Sequence, residues 1–558
     1  MNFTERFDPN QFIQLKTGDE IIDEFQANIN SDSTTADEKE DFINVRPSMF
    51  GFGENSTDLL LSVDEAFDYC GGFGRHQTLL MIFMIFSMKS AGFFLNALSF
   101  LELQPVYECQ NLHSDIWYRC QKKVFCSDSS VTKRIDWSEQ ESLDNFISQF
   151  HLECSDSFYI GLIGSFFLVG IVLGCLTLTR LGDILGRKPI FIVGMLLQIT
   201  VCCTLVFIDN IWIAYLMVAI MGVALTGKQY VGYTYLIENM PKSKQVIVGS
   251  FEFICEGLVF LSVCGYFLWV NKNWIYLQIP TLVLSILGTV YMIFQPESPR
   301  FLVSKGRFDQ ARTCFNIIAK RNGKGENYAD LIIFKEELEM NGLEQTAFEK
   351  DQDPLNTSIT SQSSPEDKSL KQLFKRKDLR RNLLFSTVIW TSIVFNFFLV
   401  SFYLKYFPGS IFLNCIYFAI ADIFAYLLSG LIIKYLNASK AIIVAQVISS
   451  IGALLYLILF TNQDIVPVVI ILSRIGNSMS FNTVYVTNSR LFPTYFQTST
   501  FGLLNFISHV LSIGGPLLAE AADPYPYAVF LTNAILALFS GFFIKELYHS
   551  KAGIVVAH

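Results

Sequence analysis

A chain of 558 residues that is 51% hydrophobic and only 16% charged, with a mean hydropathy of +0.39, carries more apolar side chain than a soluble fold covers. Its net charge of −9 gives no basic footprint for nucleic acid. That charge is local. The first 62 residues hold 13 Asp/Glu against 4 Lys/Arg, a difference of −9, so the rest is balanced at 37 against 37. This stretch reads as a solvated acidic tail rather than a cleaved leader.

Apolar runs of about 20 residues, the length that crosses a bilayer, are predicted at 78–101, 158–179, 189–208, 211–237, 246–270, 274–294, 383–404, 409–433, 441–460, 465–487, 498–519 and 525–544. A β-barrel would show short alternating segments instead. The fold class is therefore an all-α membrane protein with twelve spans. Six spans lack Asp, Glu, Lys, Arg and His.

Span 1 carries Lys89 near its middle. The polar segment 102–157 follows, with Cys109, Cys120, Cys126 and Cys154, an even number in one loop. Two disulfides on an oxidising side are expected, by any of three pairings. Cys175, Cys202, Cys203, Cys264 and Cys415 lie in spans and read as small apolar side chains. No Cys or His grouping has metal spacing, and no metal or cofactor is expected.

Spans 2 and 3 are joined by "RLGDILGRKP" at 180–189. Lys and Arg beside spans stay cytoplasmic, so this hinge and the Lys/Arg-rich segment 295–382 place both termini in the cytoplasm and 102–157 outside. Span 4 holds Lys228. Span 5 holds Glu252 and Glu256, four apart on one helix face. Their mutual repulsion calls for a cationic substrate, a proton, or Lys89 and Lys228. Spans 8, 10 and 11 hold Asp422, Arg474 and His509. A charge at the bilayer centre is costly unless it faces a cavity or a partner, so all seven are site candidates.

The polar stretch between spans six and seven divides the chain. The expected organisation is an acidic tail (1–75), a six-helix bundle (76–294), an intracellular helical insert and linker (295–382), a second six-helix bundle (383–545) and a short tail (546–558). The loops "ENMPKSK" and "RLFPTYF" each place a charge, Glu238 and Arg490, three residues before a proline. Such a duplicated architecture suits alternating access about a central site.

"GDILGRKP" resembles the loop 2–3 signature of the major facilitator superfamily. Longer stretches are similar to the organic cation and organic anion transporters of solute carrier family 22: "DEAFDYCGGFGRHQTLLMIF", "FHLECSDSFYIGLIGSFFLVGIVLG", "GYTYLIENMPKSKQVIVGSF", "WIYLQIPTLVLSILGTVYMIFQPESPRFLVSKGRFDQA" and "LFKRKDLRRNLLFSTVIW". The resemblance runs from about residue 62 to 545 and weakens in the second half. It implies a major facilitator fold of two six-helix bundles. It implies gating roles for Asp183, which can cap or pair across the halves, for Gly186, which permits a tight turn, and for Arg187 and Lys188, which anchor at headgroups. It implies Tyr230, Tyr233, Trp390 and Phe397 as cavity aromatics for organic cations, and a helix 8 acid and helix 10 base at Asp422 and Arg474. At His509 the family has Asp in cation transporters and Arg in anion transporters. Here the residue is either a neutral histidine bonded to a helix neighbour or a cavity group that makes selectivity pH-dependent.

The departures are Thr179 for a glycine, Lys434 and Asn437 in the second-half gating loop, Arg490 for the usual Glu and Gln497 for the usual Arg. Two functions are therefore weighed. One is a monomeric transporter of small organic ions driven by gradients, in the plasma membrane or an organellar one. The other is a transport-impaired scaffold subunit of a larger membrane complex. The four Asn-x-Ser/Thr sites, at Asn2, Asn55, Asn356 and Asn437, all fall on the expected cytoplasmic side. No nucleophile–base pair, P-loop or dinucleotide fingerprint supports an enzyme.

Overall fold

The structure, a computed structural model, describes residues 59–111, 116–128, 130–338, 340, 375–407, 409–436, 438–459, 465–491, 494–521 and 530–539. The tail up to residue 58, most of the linker, the carboxyl tail, all four glycosylation sites and the side chains of Lys434, Arg490 and Gln497 lie outside the described residues.

Strand β1 (Leu59–Leu61) and helix α1 (Val63–Tyr69) precede the first long helix, α2 (Arg75–Leu101). The loop then forms β2 (Tyr107–Gln110), β3 (Tyr118–Cys120), α3 (Lys122–Ser127), β4 (Thr132–Ile135) and α4 (Phe146–Gln149). Five long helices complete the first half: α5 (Ser157–Leu185), α6 (Arg187–Leu205), α7 (Ile211–Glu238), α8 (Gln245–Val270) and α9 (Trp274–Ile293). A π-helical turn at Gly227–Val231 interrupts α7. The insert supplies α10 (Pro299–Ser304), α11 (Phe308–Arg321) and β5 (Ile332–Phe334). The second half is α12 (Lys377–Tyr403), α13 (Ile411–Leu436), α14 (Ala438–Leu459), α15 (Val466–Leu491), α16 (Thr494–Ser512), α17 (Gly514–Ala521) and α18 (Phe530–Phe539).

Ten stretches among the described residues are helical, long and apolar enough to cross a membrane. They match ten of the twelve expected spans. Helix α15 is long enough, at 26 residues, but Arg474, Asn477 and Asn482 lower its hydropathy. The last expected span is described only as α18. Aspartate or asparagine side chains accept from the second backbone N–H of α5, α7 and α9, which fixes where each begins after its connecting loop.

Each end of the first half carries a small module. On the loop face, β2 pairs antiparallel with β3 and β4, and disulfides join Cys109 to Cys120 and Cys126 to Cys154. Of the three open pairings, this one staples the sheet internally and ties it to the start of α5. Asn145 donates to the carbonyls of Phe100 and Leu103, and Gln149 to those of Leu205 and Ile208. The indole of Trp274 donates to Gln149 at 3.0 Å. The loop thereby satisfies the carbonyls left open where α2 and α6 end.

On the opposite, hinge face, β1 pairs in parallel with β5, and Phe67, Phe301, Phe315 and Phe334 share a buried core. Composition assigned residues 59–74 to the acidic tail; the structure makes them one wall of this module. Asn322, at the end of α11, locks it to α2. Its Oδ1 accepts from the His76 amide at 2.9 Å and its Nδ2 donates to the Cys70 carbonyl and to Gln77. "CGGFG" wraps this side chain. Gly71 has φ +102°, and a Cβ on Gly74 would lie 2.5 Å from the Asn322 carboxamide.

Two predictions follow from the modules. Alkylation of the unfolded, unreduced protein labels eight cysteines, and reduction raises the count to twelve, because eight thiols are free beside the two bridges. Gly74→Ala lowers thermal stability in detergent by about 1–3 kcal/mol through overpacking, and adding Asn322→Ala recovers part of the loss. A Gly74→Ala protein as stable as wild type overturns the wrapping role.

Candidate functional site

The hinge is the first place where charge is concentrated. Gly186, with φ +116°, turns the chain between α5 and α6, and a Cβ there would collide with the Glu297 carboxylate. That carboxylate accepts from the backbone N–H groups of Arg187 and Lys188, the free donors at the start of α6. Burial raises the pKa of Glu297, with these N–H bonds pulling the other way. The Arg187 guanidinium meets Asp183 at 3.0 Å and Glu238 at 3.3 Å, donates to the Gly182 carbonyl and lies 4.4 Å from the Phe301 ring centre. Lys188 donates to the Ile293 carbonyl at the end of α9. The headgroup-anchor expectation therefore fails for Arg187, which is only 7% exposed, because two carboxylates and a ring hold it inside. Every partner named here belongs to the first half or the insert. Second-half residues Phe501, Gly502 and Asn505 meet Asp183 and Arg187 only across a narrow cavity that also takes in Thr179 and Tyr230.

Deeper in the first half, Lys89 pairs with both Glu252 and Glu256, the latter at 2.9 Å. Gln229, from the π-helical turn of α7, donates to Glu252 at 2.7 Å, and Asn96 donates to Glu256 at 2.9 Å. Lys228 does not join this group. Its ammonium donates to Ser90 at 2.5 Å and to Gln198, and Ser90 also meets Ser285 at 3.0 Å. Lys228 is fully buried, and no carboxylate among the described residues lies within ion-pair distance.

At the middle of the second half the described residues place one buried ion pair. Arg474 clasps Asp422 through two bonds of 2.8 Å, donates to Ser401 at 3.0 Å and lies 4.3 Å from the Phe397 ring centre. Ser478 donates to the same Asp422. A two-toothed guanidinium–carboxylate contact is directional as well as strong, which fixes α13 against α15.

Between the two clusters runs an aromatic seam. Tyr233 and Phe253 of the first half contact Tyr485, and Phe253 also contacts Tyr426 and Phe481. Trp390 packs on Phe481, Tyr485 and Phe501 and donates to Asn505 at 3.2 Å. His509 is 3% exposed and points inward. Its Nδ1 lies 2.7 Å from the Asn505 carbonyl and its Nε2 lies 3.3 Å from the Tyr230 hydroxyl. A neutral imidazole with its proton on Nδ1 satisfies both contacts. The second cavity, lined by Asn96, Ser99, Phe260, Phe397 and Ser401, lies on the loop side of this seam.

A further cluster closes the loop face. Lys405, just past α12, pairs with Glu102, just past α2, at 3.0 Å and with Glu520 of α17. Tyr406 donates to Glu520 at 2.6 Å. All three charged side chains are buried, and Glu102 Oε1 has no hydrogen-bond partner. Beside them Ser99 donates to the Ser401 carbonyl and Ser165 to that of Ile513, both across the halves. The sequence reading passed over this cluster. Among the described residues no group of three His, Cys, Asp or Glu is placed to hold a metal ion.

The profile of the family described as "Sugar (and other) transporter" matches residues 117–417, more than half of the chain. The human protein named organic cation/carnitine transporter 2 is 24% identical over 422 residues, 74% of this chain and 71% of its own. Organic cation/carnitine transporter 4 of Arabidopsis thaliana is 22% identical over 498 residues, 87% of this chain and 89% of its own. A solved structure of the proton:xylose symporter XylE, of the major facilitator superfamily, superposes with a TM-score of 0.56 at 13% identity, covering 83% of this chain and 95% of that one. The chain belongs to the sugar (and other) transporter family and has the major facilitator fold. It is a multi-pass membrane transporter and not an enzyme; the scaffold-subunit alternative is not favoured.

Burial pushes the Glu102 carboxyl up to about 7, with Lys405 opposing and Glu520 adding to the rise. A solvated Glu titrates near 4.3, so the closed loop face binds this proton more tightly than an opened one. Closure is therefore favoured at acid pH, and that contribution is lost as pH rises through about 7. Spin labels placed across the two halves should show more of the short loop-face distance at pH 5.5 than at pH 8. Glu102→Gln should flatten the difference; a wild-type distribution that ignores pH refutes the reading.

Proposed function

We propose that this chain carries small organic ions by gradient-driven alternating access, with the hinge face cytoplasmic and the disulfide-bearing loop outside. The observation that carries this reading is the pairing of two buried ion clusters across an aromatic seam. Lys89, Glu252 and Glu256 lie in one half, and Asp422 and Arg474 in the other. Intramembrane charges of this kind are retained at a cost of at least about 2.5 kcal/mol each in hydrocarbon, which favours a use for them. A site of charged pairs and ring faces suits an organic ion better than a neutral polyol. The names of the human and Arabidopsis relatives, which specify organic cations and carnitine, support the same substrate class.

In this reading Tyr230, Tyr233, Trp390 and Phe397 form the aromatic walls, and Lys228 holds α7 to α2 and α6 through Ser90 and Gln198. His509 links the halves through Tyr230 as a neutral group. The hinge ring of Asp183, Gly186, Arg187, Lys188 and Glu238 gates the cytoplasmic side from the first half, with Arg490 on the second half as its counterpart. The halves correspond to 76–294 and 383–545, joined by the insert 295–382, and the working unit is a monomer.

Purified protein in liposomes should move labelled organic cations, zwitterions or anions, and an imposed membrane potential should change the rate for cations. Flux no greater than in protein-free liposomes across such a panel overturns the proposal.

A further inference from the structure

The three charges near the middle of the first half are not equivalent. Lys89 is 2% exposed and Glu252 is fully buried, whereas the Glu256 side chain is 24% exposed. Glu256 also accepts from Asn96, which lines the loop-side cavity. Gly92 makes room for the carboxylate: a Cβ there would come within 3.0 and 3.3 Å of its two oxygens. One carboxylate is thus closed in, and the other is partly exposed and bonded to a residue of the cavity wall, with a single ammonium touching both.

We infer that Glu256 receives the cationic group of the transported ion and that Lys89 is a tethered counter-cation, shared by both carboxylates in the empty carrier and released to Glu252 alone when the ion arrives. This rests on the organic-ion reading above and adds to it a rule for the carrier's cycle.

The reasoning is electrostatic. A carboxylate held away from water without a counter-charge costs several kcal/mol. In the empty site Lys89 supplies that charge to both acids. When an organic cation reaches Glu256, Lys89 keeps Glu252, and each acid has its own partner. Neither state leaves a bare carboxylate. The unloaded carrier can therefore reorient, and transport proceeds as net movement without an obligatory return cargo. Glu252 suits the fixed role because Gln229 already holds one of its oxygens. Asn96 suits the mobile side because its amide links Glu256 to the cavity wall and can hold the carboxylate when Lys89 leaves it.

The test compares net uptake with exchange. Full-length protein in liposomes is given a labelled quaternary ammonium ion, tetraethylammonium, with the lumen either empty or preloaded with the unlabelled ion. Wild type should show net uptake into empty vesicles. Lys89→Met should reduce net uptake by about tenfold or more, the factor that 1.4 kcal/mol of barrier gives, while exchange into preloaded vesicles falls far less. Glu256→Gln, which leaves the Lys89–Glu252 pair intact and so spares the fold, should raise the KM for the ion by about tenfold or more. The inference is overturned if Lys89→Met slows both modes equally in protein of unchanged melting temperature. It is equally overturned if Glu256→Gln leaves KM where it was. A wild type that carries anions but no quaternary ammonium ion refutes the inference while leaving organic-ion transport standing. A wild type that carries no ion at all removes the transport reading and this inference together.

Discussion

Hydrocarbon supplies neither water nor counter-ions, so every charge between the helices must be answered by a neighbour within a few ångströms. The interior of this protein is arranged around that constraint. Lys89 answers two acids on α8, and Arg474 answers Asp422 with both arms of its fork. Lys405 answers acids contributed by both halves, and Arg187 answers Asp183 and Glu238 at the hinge. Lys228 is the exception: neutral oxygens surround it, and Ser90 links it to Ser285 of α9. Helix packing, the cavities and the closure of the loop face all follow from where these charges find partners.

The two halves solve the problem differently. The first half spreads its charge over two branched groups, one of Lys89, Glu252 and Glu256 reaching α2, α7 and α8, the other of Lys228 reaching α2, α6 and α9. The second, at its middle, concentrates it among the described residues in one pair whose cation is also covered by Phe397 and Phe418. A branched network has more than one way to redistribute a proton or an ammonium. A two-toothed clasp has one geometry, and removing either partner of such a buried pair costs about 3–5 kcal/mol.

Much of this was legible in the sequence. Charges inside apolar runs are rare enough to single out Lys89, Glu252, Glu256, Asp422 and Arg474, and the i, i+4 spacing placed the two glutamates on one face. The resemblance to organic ion transporters brought the hinge motif and His509 to notice. What the sequence hid is what long-range packing decides. Glu102, Lys405 and Glu520 each lie one residue beyond a predicted span, at 101, 404 and 519, where a charge normally meets water. Only the approach of α2, α12 and α17 turns them into one buried cluster. Glu297 stood in plain view in "PESPRF", yet its task of capping α6 depends on a contact 110 residues away. The aromatic seam was hidden by abundance: with 15% aromatic residues, no stripe stands out. Residues 59–74 looked like tail because their neighbours are acidic, whereas Leu59, Leu61, Phe67 and the glycines fit them to the insert.

The anchoring of the two terminal modules has a mechanical consequence. Asn145 and Gln149 fasten the loop domain to α2 and α6, and Asn322, Arg187 and Glu297 fasten the insert module to α2 and α6 at the other end. Among the described residues no comparable module is pinned to the second bundle. The first bundle is thus a stator, weighted and braced at both ends, and the second is the lighter rotor that swings against it. A load applied to the loop domain, such as a bound antibody, would ride with the stator and leave the swing free. A wedge between Glu102 and Lys405 would stop it.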